Sequence, residues 1–306
     1  ISFSERKDLP TFQADVRVFE VKEADGATIG LLLLDYFRRD NKQGGAWMDT
    51  LVDQSTLLGR QPVVINCLNV SRPAPGQPAL LTFDEVTTLF HELGHGLHGL
   101  LSAVKYPLLA GIAMPPDFSE LPSQFNEMWA RDRGVLSHFA RHYKTGEPIP
   151  TALLDKVLKA QRYGQGYATL EYLQAAMLDQ SWHQLPLSQA PAAAEVMAFE
   201  ARALSRNNVA YPPVPPRYHT TYFSHIFSGS DYAAGYYAYI WSEVLARDAG
   251  AWFKAHGGLS RANGDIFRTK ILAPGRTKEP GVLFGDFYGA EPDIKPLLEY
   301  RGLTLP

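Results

Sequence analysis

Two histidines and a glutamate carry the most specific chemistry in this sequence. In TFDEVTTLFHELGHGLHGLLS, residues 82–102, His91 and His95 stand four apart with Glu92 between them. Four residues is just over one helical turn, so on a helix both imidazoles project from one face and can hold one metal ion. H-E-x-x-H on a helix is the arrangement of a zinc peptidase, with two histidine ligands and a glutamate base. The flanking residues supply that helix. Thr82 and Glu85 form a capping-box start, and Val86, Leu89, Phe90, Leu93, Leu97, Leu100 and Leu101 recur at helical spacing.

Catalytic zinc takes three protein ligands and keeps a fourth position open, so a third ligand must lie elsewhere. A glutamate nineteen residues after the second histidine would fall at Met114. A three-histidine pattern would need glycine at His98 and histidine at Leu101. Neither fits. Glu120, in DFSELPSQFNEMWARDRGVLSHFARHY, is the best remaining acid, with Asp117 as its rival. Asp117 or Glu127 can instead accept the distal N–H of a zinc histidine and fix its tautomer. Pro122 suits only a first helical turn, which places Asp117 and Glu120 near a helix start. His98 lies on the stripe of His91 and His95 and reads as a partly buried histidine rather than a ligand.

With zinc in place, Glu92 is the natural general base for the attacking water. The resulting oxyanion needs further donors. FSHIFSGSDYAAGYYAYIW, residues 223–241, offers them: Tyr232, Tyr236 and Tyr239 are spaced i, i+4, i+7 on a helix expected over Asp231–His256, and His225 precedes them. Such a stripe is either core or, since these phenols and Tyr237 all need hydrogen-bond partners, a polar cleft wall.

The elements that position these groups follow. Val16–Val21 and Thr28–Phe37 read as a hairpin turning at Asp25-Gly26, and Pro62–Leu68 as a further strand. Gly44, Gly45, Ala46 and Trp47 are either an ordinary loop or a strand rim along which an extended peptide lies. Helical patterns recur over 152–160, 166–183 and 192–204. The class is mainly α with a small antiparallel sheet near the start, β-rich over 1–80 and helical over 81–306, within one catalytic unit.

The chain's 306 residues, 45% of them hydrophobic, suffice for a substantial core, and a net charge of -3 with no long basic run disfavours nucleic acid and anionic membranes. No apolar stretch approaches a membrane span. The single cysteine, Cys67, sits in an apolar run and reads as core. It fits a reducing compartment such as the cytoplasm, although the periplasm is compatible too. The sequence begins at Ile1 and moves straight into strand, as a piece of something longer would.

HELGHGLH, then DFSELPSQFNEMW with Glu120 twenty-nine residues after His91, then HIF and DYAAGYYAYIW, resemble the thimet-oligopeptidase family of zinc metallopeptidases. The likeness runs from RVFEV through GGAWM and PVVINCLNVSRPAPGQPALLTFDEV to PDIKPLLEYRGL, nearly the whole chain. It implies a helical zincin-type fold and one Zn2+ held by His91, His95 and Glu120, with Glu92 as base. It also implies that His225, Tyr232 and Tyr239 bind substrate and stabilise the oxyanion, and that Gly44 to Trp47 line a channel for short, unstructured peptides. WMDTLVDQSTL and PDIKPLLEYRGL are most similar to the peptidyl-dipeptidase branch, which removes dipeptides from free C-termini, whereas ELPSQF and FSHIF are as similar to the endo-acting oligopeptidase A branch. AGIAMPPDF lacks the Gly-Thr that many relatives carry. Family chains are far longer, so this one corresponds to the catalytic C-terminal half. An N-terminal half would form the other channel wall, and without it exposed apolar surface is expected; the alternative to a working peptidase is a fragment that binds zinc and peptide with little turnover.

Overall fold

Alternating apolar residues in the first seventy positions pair as five strands: β1 Ser2–Glu5, β2 Arg17–Lys22, β3 Thr28–Phe37, β4 Trp47–Val52 and β5 Val63–Val70. The structure, a computed structural model, describes residues 1–303. The expected hairpin is β2–β3, turned by Gly26 at φ +88° with Asp25 Oδ1 accepting from the Ala27 N–H. The sheet order is β1-β2-β3-β5-β4, and β3 runs parallel to β5, so the sheet is mixed rather than wholly antiparallel. The chain leaves β3 for the outer edge as β4 and returns as β5 between them. Alternation marks a strand but not its neighbour, which is why the local pattern missed this insertion.

Helices follow: α1 Phe83–Leu100, α2 Pro116–Glu127, α3 Arg133–Phe139, α4 Thr151–Ala160, α5 Gln165–His183 and α6 Val196–Arg206. After them come α7 Ser224–Phe227, α8 Ala238–Ala255, α9 Arg261–Phe267, α10 Pro280–Tyr288 and α11 Lys295–Arg301. The mainly helical class with a small N-terminal sheet is what the residue patterns predict. Among the described residues no helix is long and apolar enough to cross a membrane.

α1 starts with the expected capping box, Thr82 Oγ1 accepting from the Glu85 N–H at 3.2 Å and Glu85 Oε2 from the Thr82 N–H at 2.7 Å. It lies on one face of the sheet, where Val21, Leu32, Met48 and Val64 bury against Leu100. On the other face Val16, Val18, Leu33, Ile65 and Cys67 pack together. Burial pushes the Cys67 thiol up to about 11, as befits a core residue rather than a nucleophile. A larger apolar core joins α2 to α8, α9 and α10, with Phe125 stacked on Phe267 at 4.5 Å and tilted against Phe253 at 4.9 Å.

Two helix boundaries differ from expectation. α2 begins at Pro116, so Pro122 lies inside the helix rather than in its first turn. The proline removes the one backbone bond that Phe118 O would accept, and elsewhere along the helix Ser242 donates to Asp117 O at 2.7 Å and Ser123 to Glu120 O at 2.9 Å. α8 begins at Ala238 rather than Asp231. Ala234 takes a left-handed φ of +57°, and the buried Asp179 of α5 accepts the Ala234 and Tyr236 N–H groups at 3.0 and 2.8 Å, drawing both away from helical pairing.

Candidate active site

The site exists because α1 and α2 pack unusually close. A Cβ at Gly94 would lie 2.6 Å from the Pro122 carbonyl oxygen and from Ser123 Cα, and one at Gly99 would lie 2.6 Å from Met48 Cε. Interior glycines each cost about 1 kcal/mol of helix propensity relative to alanine, and here they admit neighbours that no side chain would. Two asparagines then lock α1 in rotation. Asn126 Nδ2 of α2 donates to Phe90 O at 2.5 Å, and the buried Asn66 of β5 donates from Nδ2 to Glu92 O at 2.8 Å.

This packing carries Glu120 onto the two histidines. Its Oε2 is 3.1 Å from His91 Nε2 and 3.2 Å from His95 Nε2. Ligand atoms about 2.0–2.1 Å from one tetrahedral zinc ion stand roughly 3.3 Å apart, so both Glu120 separations suit such a site. The donor set of two imidazoles and one carboxylate, with its donor atoms all within 4.8 Å of one another, fits a catalytic zinc ion. His91 Nδ1 meets Glu127 Oε1 at 2.7 Å, which makes Nε2 the nitrogen free for metal. Asp117 does not take that role: its carboxylate accepts from the Tyr237 hydroxyl at 2.8 Å, because the N-terminus of α2 points toward α8 rather than α1.

Without metal these groups stabilise one another. Burial works against a charged His91, but its bonds to Glu120 and Glu127 outweigh that and raise its pKa to about 10. Burial likewise opposes a charged Glu120, and the His91 and His95 bonds hold it well below the usual carboxylate range. Glu92 is buried with Oε2 unpartnered, and burial raises its pKa. His98 lies deeper than the partly buried position expected of it: it is fully buried, neither ring nitrogen has a partner, and burial pushes its pKa down to about 3. It stands outside the ligand cluster.

Facing the cluster across a cleft of about 960 Å³ is a wall built from α7, α8 and the turn between them. His225, Tyr232 and Tyr239 line it, and the Tyr239 hydroxyl is 3.2 Å from His225 Nε2. The tyrosines are not one helical stripe, since only Tyr239 lies on α8. The His225 ring gathers them instead, 4.6 Å from Tyr232, 5.4 Å from Tyr236 and 5.8 Å from Tyr239. Tyr236 departs from the substrate-binding role expected of it in this cleft. It is buried, stacks on Tyr172 at 5.2 Å and lines a second cavity behind the wall. Gly44, Ala46 and Trp47 line the cleft at the start of β4, while Gly45 makes the turn at φ +91° with its carbonyl held by Asn69 Nδ2 at 2.7 Å. β4 is an edge strand, as a rim for strand addition requires.

Sequence reasoning missed Asn66, Asn126 and Asp179. A lone amide within the apolar VVINCLNV was a usable signal for Asn66. For the turn-holding role of Asp179 there was none, because the Ala234 and Tyr236 amides it accepts lie more than fifty residues away. Besides the Ala234 and Tyr236 amides it bonds His183 Nδ1 at 2.6 Å, and the neighbouring Gln180 Nε2 donates to Ala234 O at 2.6 Å. In Asp179→Ala each buried donor left without an acceptor costs about 1–3 kcal/mol. Hydrogen exchange is expected to accelerate at the Ala234 and Tyr236 amides together with a fall in Tm. Unchanged protection at those amides would show that other contacts hold the turn.

Comparison with known proteins matches residues 1–303 to the family described as Peptidase family M3. The chain is 47% identical over 303 residues to dipeptidyl carboxypeptidase of Salmonella typhimurium, covering 99% of this chain and 44% of that protein. It is 46% identical over 305 residues to dipeptidyl carboxypeptidase of Escherichia coli, with 100% and 44% covered. Oligopeptidase A of Escherichia coli is 41% identical over 309 residues, with 99% and 45% covered. The chain thus spans less than half the length of these relatives. Among solved structures, "PZ PEPTIDASE A with inhibitor 2" superposes with a TM-score of 0.53 at 14% identity, covering 88% of this chain and 42% of that one, a likeness of fold alone.

Proposed function

The chain belongs to peptidase family M3, and from that membership we propose that it hydrolyses short, unstructured peptides with one zinc ion on His91, His95 and Glu120, releasing dipeptides from free C-termini. The observation that carries this reading is the convergence of three ligand atoms beside the unpartnered Glu92 carboxylate in a long cleft. When bound, the ion acts as a Lewis acid and lowers the pKa of a water in its open position to about 7. Glu92 takes the proton of the attacking water and passes it to the leaving amine, a role suited to a carboxylate whose pKa burial has raised.

His225 and Tyr239 supply donors for the oxyanion. Burial holds the Tyr239 pKa far above its ordinary value, so the phenol keeps its proton, and burial lowers the His225 pKa, so the ring stays neutral. Tyr232 reaches from the exposed rim. The unpaired edge of β4 takes the peptide as an added strand, past Gly44 and Ala46. The N-terminal half of the longer protein is the proposed second wall, and Leu51, Leu57 and Leu58, exposed on and just after β4, are apolar surface it can cover. The single buried Cys67 suits a reducing compartment, for which the cytoplasm is our reading.

Mass spectrometry of a medium-length peptide with a free C-terminus, incubated with the zinc-loaded protein with and without a chelator, tests this reading. Sequential loss of two residues from the C-terminus, stopped by the chelator, is the expected result. Chelator-sensitive internal cuts would favour oligopeptidase action, in line with the 41% identity to oligopeptidase A. An intact peptide in the presence of bound zinc would mean that this chain needs its other half for turnover.

A further inference from the structure

Gln43, Gly44, Ala46 and Trp47 line the cleft on the connection that carries the chain from β3 to β4. Little packs against the middle of this rim. A Cβ added at Gly44 or Gly45 would meet no atom within 4 Å, and among the described residues neither N–H has a protein acceptor. A glycine pair with so few contacts can sample many conformations. What fixes it lies beneath, in the sheet.

Lys42, one residue before the rim, turns its side chain inward, where it is 2% exposed. Its Nζ donates to Leu68 O at 2.5 Å and Asp35 O at 2.6 Å, with Asp35 Oδ1 at 3.0 Å and Phe37 O at 3.3 Å. These carbonyls belong to the last residues of β3 and β5, which run parallel, so one ammonium ties both strand ends to the start of the rim. Asp35 also takes Arg39 through both oxygens, at 2.7 and 2.8 Å. Two cations thus share one carboxylate, and the strand carbonyls absorb the excess charge. Asn69, the residue after Leu68 on β5, completes the hold: its Nδ2 donates to Gln43 O at 2.8 Å and Gly45 O at 2.7 Å.

A buried ammonium is costly to desolvate, and an apolar side chain would serve the stability of a small sheet as well. What the ammonium adds is position, because bonds to fixed carbonyls set where the following chain emerges. We propose that Lys42 and Asn69 form a clamp that presets the 43–47 rim for peptide, as positioning residues for substrate binding. The inference rests on the peptidase reading above and deepens it by naming the groups that hold the receiving edge. Neither residue lines the cleft, so both act through the backbone they hold. A rim ordered before the peptide arrives removes an ordering cost from binding. The clamp therefore governs affinity, while the metal ligands and Glu92, on α1 and α2, stand apart from it.

Calorimetry of an octapeptide on the protein with metal chelated tests this without turnover. Lys42→Met, which leaves Asp35 its Arg39 pair, and Asn69→Asp, near-isosteric but without the Nδ2 donors, are each expected to raise Kd about tenfold, the effect of ordering about one further residue on binding. With zinc loaded, both should raise KM by a similar factor while kcat stays within about twofold, and chymotrypsin should cut after Trp47 faster than in the parent. Ile65→Ala, in the core of the same sheet, should lower Tm and leave Kd unchanged, which separates loss of the clamp from loss of stability. Should Lys42→Met fail to fold, Asn69→Asp decides alone. An unchanged Kd in Asn69→Asp, a fall in kcat at constant KM, or no peptide binding by the parent overturns the proposal. Hydrolysis is read separately. Chelator-sensitive cleavage by the parent with unchanged Kd in the variants keeps the peptidase and removes the clamp; weakened binding in the variants with no cleavage by the zinc-loaded parent keeps the clamp and removes turnover from this chain.

Discussion

Glu92→Gln is expected to leave zinc content and fold intact while lowering turnover by about 10²–10⁴-fold, the range that a positioned general base contributes. The substitution is close to isosteric, and the Glu92 contact that locks α1 is made by its backbone carbonyl to Asn66, which glutamine preserves. Oε2 has no protein partner, so exchanging it breaks no hydrogen bond in the protein. What is lost is the capacity to accept a proton. Metal analysis alongside kcat for an internally quenched peptide decides the matter. Turnover within a few-fold of the parent with stoichiometric zinc would remove Glu92 as the base.

The second large effect concerns the metal itself. Glu120→Ala is expected to weaken zinc binding by more than about 100-fold, beyond the 10–100-fold typical of losing an outer partner such as Glu127. Glu120 is the one carboxylate that touches both imidazoles; of the other acids on α2, Glu127 meets only Nδ1 of His91 and Asp117 is turned to Tyr237. The metal-free cluster also sets the direction of a pH effect. With the His91 pKa raised to about 10, loading must expel its proton, so apparent zinc affinity climbs as pH rises through the neutral range. Competition titrations against a chelator at several pH values measure both quantities. Equal affinity in Glu120→Ala and Glu127→Gln would mean that Glu120 is no ligand.

How much of this was legible depended on how far apart in the chain the deciding contacts lie. The capping box of α1 closes over three residues and the β2–β3 turn over a handful, so both could be read directly. The start of α8 could not. Residues 232–239 carry a helical spacing of tyrosines, but Asp179 takes the Ala234 and Tyr236 amides from over fifty residues away and the helix starts about two turns later than Asp231. Pro122 inside α2 is a second case: spacing alone places it in a first turn, yet the helix starts at Pro116 and runs through it. The insertion of β5 between β3 and β4 is a third, because alternation is the same whichever strand lies beside it.

The sequence by itself determined the candidate ligand types, their common helical face, the candidate base between them and the family to which the chain belongs. These follow from periodicity within single elements and from motifs whose residues act as a unit. Only the tertiary structure decided which of three acids meets the histidines and which phenols line the cleft. Gly94 brings α2 against α1 closely enough for Glu120 and Glu127 to reach the imidazoles while Asp117 is left on the far side. The buried carboxylate of Asp179 turns the chain so that Tyr239 opens to the cleft and Tyr236 to the pocket behind it. A side chain's direction is set by the element packed against it, and that neighbour is not adjacent in the chain.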